Sequence, residues 1–150
     1  MSAHVHNMEV NVPIETVWKF VKSMDAWAPL IPGYIDHEII NERESTWTFK
    51  SAFGKIIKKK IQMKVDITNW EEPEKVTFNL VGLNEKFNGY GYFKAAKLSE
   101  NKTSMTGFLE ITAGGKLAKV MNPLLKTSIP EMTEELTIAV GQKIEEIVKS

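Results

Sequence analysis

Cysteine is absent from the 150 residues, which excludes disulfides and thiolate metal sites and suits a reducing compartment. Net charge is absent too. The 19 Lys and Arg balance the 19 Asp and Glu, so nothing draws the whole molecule toward nucleic acid or an acidic membrane. No apolar run approaches the roughly 20 residues of a membrane span. The opening MSAHVHNMEV lacks the charged lead and apolar core of a signal peptide. There is no Gly-x-Ser-x-Gly elbow and no His-Glu-x-x-His pair. Gly89-Tyr90-Gly91 lacks the strand-to-helix setting of a dinucleotide fingerprint and reads as a bent strand. Repeats, low-complexity tracts and linkers are missing as well. What remains is one cytoplasmic domain over residues 1–150, large enough to bury a core unaided, with no expected metal, cofactor or nucleic-acid partner.

The strongest pattern present is in the last third. Leu117, Val120, Met121, Leu124, Leu125, Ile129, Met132, Leu136, Ala139, Val140, Ile144 and Ile147 recur at spacings of three and four, predicting one long amphipathic helix. Such a helix is marginal alone and needs a surface to bury its stripe. Pro123 and Pro130 fall inside it, and Ser128 with Glu131 forms a capping-box signature, so the helix is expected to break and restart near 128.

Upstream the pattern is mostly strands. Residues 3–12 alternate, with His4, His6, Met8 and Val10 on one face. Pro13 ends that strand, and Ile14, Val17, Trp18, Phe20 and Val21 predict a short helix over 13–23. Asp25 is a candidate N-cap for a second short helix over 26–31, stopped by Pro32-Gly33. Strands are then predicted over 34–42 (Ile35, His37 and Ile39 inward), 45–53, 57–70 (Ile61, Met63, Val65 and Ile67 inward), 75–83, 86–98 and 103–112. The face of 86–98 is not assignable, because Gly89 and Gly91 point to a bulge. This order predicts an α+β helix-grip fold: a curved seven-stranded antiparallel sheet around a long C-terminal helix, with two short helices after the first strand.

That arrangement resembles the START/Bet v 1-like (SRPBCC) superfamily. Pro13-Ile14-Glu15-Thr16-Val17-Trp18 is similar to its strand-to-helix opening. Trp27-Ala28-Pro29-Leu30-Ile31-Pro32-Gly33 resembles the close of the second helix in the carbon monoxide dehydrogenase G-subunit family. Gly114-Gly115-Lys116-Leu117-Ala118 is similar to that family's lead-in to the last helix. The resemblance implies a hydrophobic small molecule, lipid- or quinone-like, held between sheet and helix. It also implies two alternatives: a cyclase- or dehydratase-like enzyme on a polyketide-type substrate, and an accessory protein docking to a membrane or redox enzyme.

The candidate ligand residues are Trp27, Leu30, Ile31, His37, Phe49, Phe53, Met63, Phe78, Leu80, Met105, Met121, Leu125 and Met132. Methionines and aromatics suit an adaptable apolar pocket, although the plainer expectation for any one of them is core filling. His37 is a candidate hydrogen-bond partner or acid–base group against the ordinary role of a satisfied structural histidine. His4 and His6 lie two apart on one face, which alone is too few ligands for a metal and fits an edge strand. Tyr90 and Tyr92 point the same way and offer hydroxyls, or simply half-buried aromatics. Lys55, Lys58, Lys59 and Lys60 cluster on one hairpin and could dock to anionic headgroups, although alternation already accounts for an exposed outer face. No catalytic residue and no oligomeric state is assignable.

Overall fold

In the computed structural model the chain is described over residues 2–53 and 57–149, with side chains over 3–50, 60–116 and 118–148. Strand β1 (Ser2–Val10) is followed by helix α1 (Ile14–Val21), a one-turn helix α2 (Met24–Trp27) and a 3₁₀ turn over Ala28–Leu30. Six strands follow: β2 (Tyr34–Ile39), β3 (Glu44–Phe53), β4 (Ile57–Glu71), β5 (Lys75–Gly82), β6 (Phe87–Ser99) and β7 (Lys102–Ala113). A 3₁₀ turn leads into α3 (Ala118–Lys149).

All seven strands form one antiparallel sheet in the order β1-β7-β6-β5-β4-β3-β2. The last six are a meander, and β1 returns to pair with β7 from Ser2 opposite Ile111 to Val10 opposite Thr103. Alternation works as expected along β3, β4, β5 and β7. Trp47, Phe49, Ile61, Met63, Val65, Ile67, Val76, Phe78, Leu80, Met105, Leu109 and Ile111 are all buried on the concave side. For β6 the inner face is Gly89, Gly91, Phe93 and Ala95, with a register shift between Lys97 and Ser99. Tyr90 and Tyr92 therefore sit on the outer face, where both rings lie against Phe108 and the Lys75 ammonium stands 4.5 Å from the Tyr92 ring centre.

The expected break in the last helix does not occur: α3 runs unbroken for 32 residues with Pro123 and Pro130 inside it. Proline's fixed φ is helical, and each ring removes only one donor, so packing along β1 and β7 carries the helix through. Ser128 caps nothing. Its hydroxyl donates to the Leu124 carbonyl one turn back. The buried line along α3 is Leu125, Ile129, Thr133, Thr137, Val140 and Ile144, whereas Val120 and Ile147 of the expected stripe are exposed. Asn122 anchors the start of α3, accepting from the Ala113 N–H at 2.8 Å and donating to the Ala113 carbonyl at 3.1 Å. Among the described residues no helix is long and apolar enough to cross a membrane.

The chain leaves β1 through one buried polar contact. The Thr103 hydroxyl donates to the Val12 carbonyl at 2.8 Å, and both residues are buried. Thr103→Val keeps the shape and orphans that carbonyl, so a urea titration should show a loss of about 1–2 kcal/mol.

Candidate functional site

The sheet curls so that its concave face, the α1–α2 segment and α3 close on a shared interior. Trp27 is the keystone. It is buried beneath α2, with its ring centre 5.1 Å from that of Trp47 and 5.9 Å from that of Phe78. Its indole N–H donates to the Val21 carbonyl at 3.0 Å, which ties α2 back to α1. Beside it lies a cavity of about 50 Å³. Val21 and Trp27 form one wall, Val76, Phe78, Phe93, Gly107 and Leu109 form the floor, and Thr133, Leu136, Thr137 and Val140 of α3 form the roof. The two threonines do not make it polar. Their hydroxyls donate to the carbonyls of Ile129 and Thr133, each at 2.7 Å, so their protons are already used within α3. A space of this size holds a water or two, far below the ~300 Å³ and upward of small-molecule pockets.

Of the expected ligand residues, Trp27 and Phe78 line this cavity. Ile31, Phe49, Met63, Leu80, Met105 and Leu125 are buried in the core around it, and Leu30, Met121 and Met132 are half-buried against that core. The side chain of Phe53 lies outside the described residues. So do those of Lys55, Lys58 and Lys59, while Lys60 is exposed on β4 opposite Lys50. A second, open groove of about 700 Å³ runs between the β5–β6 turn and Gly114-Gly115, lined by Leu83, Asn84, Lys86 and Phe87 among others.

His37 faces inward as alternation predicts, but Ile35 does not share its face. Ile35 and Ile39, its expected inward neighbours, are 49% and 38% exposed. A bulge between Tyr34 and Asp36 shifts the register, so Tyr34 lies opposite Phe49 and His37 opposite Trp47. Directly paired residues share a face, so Tyr34 and His37 stand together on the concave side of this edge strand. Asp25 completes the group. It lies inside α2 behind an N-cap at Ser23, so it does not cap the helix. Its carboxylate instead stands 2.7 Å from His37 Nε2, while Tyr34 Oη stands 2.7 Å from His37 Nδ1. The Asp36 carboxylate accepts from the His37 backbone N–H at 2.8 Å and stiffens the bulge. The histidine is visible in the sequence; its two partners are not, because no local pattern signals a bulge or the reach of α2 over the edge strand.

The other charged groups lie outside this interior. His4 Nε2 stands 3.2 Å from the Glu134 carboxylate and His6 Nδ1 4.0 Å from it, on the edge strand β1. Among the described residues no three His, Asp or Glu side chains are arranged to hold a metal ion. Glu44 is held below the usual carboxylate range by hydrogen bonds from Lys64 and Asn41, and Lys64 is raised by the same bond to Glu44. Both are partly exposed, at 2.7 Å from one another.

A protein-family model, described no further than "-like:-like", matches residues 1–149. Searched against curated proteins, the sequence gives no significant match. Among solved structures, a conserved protein from Geobacillus kaustophilus is similar at a TM-score of 0.79 and 17% identity, covering 96% of this chain and 95% of that one. A START superfamily protein from Mycobacterium smegmatis is similar at 0.78 and 16%, covering 98% and 99%. The Zhui aromatase/cyclase from a Streptomyces species is similar at 0.71 and 14%, covering 97% and 94%. At these identities the likeness is one of fold alone.

Proposed function

We propose that this chain, which has the helix-grip fold of a START superfamily protein, binds or carries a hydrophobic small molecule of lipid or quinone type between the sheet and α3. The observation that carries this reading is the largely hydrocarbon-lined gap in the packing beneath Trp27 and α3, where the threonine hydroxyls donate back to their own helix. A well-packed core leaves few such gaps. Met121, Met132 and Leu136 are half-buried along the same side of α3, and unbranched methionines repack at little cost. Ligand entry on this reading displaces those side chains and swings the Met24–Leu30 segment outward. The kinship with the carbon monoxide dehydrogenase G-subunit family stays a proposal resting on Leu30-Ile31-Pro32-Gly33 and Gly114-Gly115-Lys116-Leu117.

Native mass spectrometry of gently purified protein tests the reading, followed by organic extraction of what leaves. A reproducible adduct of lipid or quinone mass is expected. A protein that stays at its bare mass and takes up no naphthalene-sized apolar probe in equilibrium dialysis would overturn it.

A further inference from the structure

The turns at the two ends of the sheet carry opposite charge, although the chain as a whole carries none. Where β2, β4 and β6 finish, the turns hold Glu42, Glu72, Glu74 and Glu100 against a single cation, Arg43. At the other end, hydrogen bonds draw the loops into one surface. The Lys50 N–H donates to the Gly33 carbonyl at 2.8 Å, and Lys50 pairs with Lys60 across β3 and β4. Asn84 of the β5–β6 turn donates to the Lys60 carbonyl at 2.8 Å, and the Gly114 N–H donates to the Lys86 carbonyl at 2.8 Å. Lys116 and Lys119 follow on the way into α3. These five lysines are exposed, and among the described residues none of them has a carboxylate partner. Glu85, the carboxylate in these two turns, is already engaged. Like charges directly opposite on paired strands destabilise a sheet, so the Lys50–Lys60 rung carries a cost that nothing described offsets.

We propose that this end of the molecule docks on an anionic bilayer surface, with its lysines at the headgroup phosphates. Leu83 and Val120 stand in the same stretch, 54% and 56% exposed, and would enter among the upper acyl carbons. Lysine stems lie along apolar surface while their ammonium groups stay in water, which suits that boundary. A nucleic acid fits less well. Arginine forks and exposed stacking rings read bases, and the chain's single arginine is at the opposite end. The proposal goes beyond the carrier reading and does not depend on it, so either can fail alone.

The test is co-sedimentation of the intact protein with vesicles of equal parts phosphatidylglycerol and phosphatidylcholine, and with phosphatidylcholine vesicles alone. Binding to the anionic vesicles only, weakening as salt rises, is expected. Lys86→Gln with Lys116→Gln should lower the partition coefficient about tenfold or more. Lys94→Gln with Lys97→Gln makes the same charge change on β6 toward the acidic end, and should leave it within about threefold. Leu83→Ser with Val120→Ser changes no charge and should lower it about fivefold. Thermal melts confirm that each variant is folded. No binding by the intact protein at low salt would overturn the proposal. So would equal losses from the two lysine pairs, the mark of net charge acting without a defined face. Binding that is indifferent to Leu83 and Val120, and equally strong to heparin, would also overturn it by making the surface a general polyanion site.

Discussion

Trp27→Ala should remove about 3–5 kcal/mol of folding stability, the largest loss from any single truncation at the interior wall. Three contributions act together. The indole is 7% exposed, so nearly all its area returns to water or becomes a void. Its edge and face contacts with Trp47 and Phe78 are lost, each of the kind worth about 0.5–1.5 kcal/mol beyond burial. The Val21 carbonyl also loses its donor. In a chain of this length such a loss lowers the melting temperature by roughly 10 °C. Calorimetry or a urea titration reads it directly. A cost below about 1 kcal/mol would mean that α2 is not seated on the sheet, and the wall of the cavity would go with it. Trp27→Phe keeps an aromatic ring against Trp47 and Phe78 and should cost markedly less.

The second large effect is at Gly107. A methyl carbon there would stand 2.2 Å from Thr137 Oγ1, at the point where β7 passes beneath α3. Real side chains never approach so closely, so Gly107→Ala must push the helix off the strand or turn the threonine, at about 1–3 kcal/mol. The remedy is specific. The next atom, Thr137 Cβ, is 3.4 Å away, an ordinary contact, so Gly107→Ala with Thr137→Ala should recover most of the loss. A double-mutant cycle in urea should give a coupling of about 1–2 kcal/mol. Strict additivity would show that helix and strand are not held at this spacing.

These two positions show where sequence reading succeeds and where it stops. Trp27 stands in a short segment bounded by Pro32-Gly33, and its burial follows from local pattern. The strands are equally legible, because period-two alternation in β4 and β5 depends only on one wet and one dry face. Gly107 is invisible. Its role comes from a residue 30 positions later on another element, and nothing near it in the chain announces close approach. The two prolines mislead for a related reason. Their local penalty is real, but packing across two strands outweighs it over a 32-residue helix. The candidate site is half legible. His37 stands out and shares its face with Ile39 as expected, but the face of Ile35 is mispredicted, because one inserted residue at the bulge puts Tyr34 in its place.

Pairing β1 with β7 has a consequence for how the chain is made. Residues 2–10 are made about a hundred residues before their partners at 103–111. Throughout most of synthesis β1 has no strand to join, and β2 through β6 can form a ladder without it. The first strand is thus the last to be placed, after a loop of about a hundred residues has closed. Such long-range pairing slows folding, and an early-made strand waits unpaired meanwhile. For this protein the hazard in biogenesis sits in β1, and it ends only when β7 has been translated.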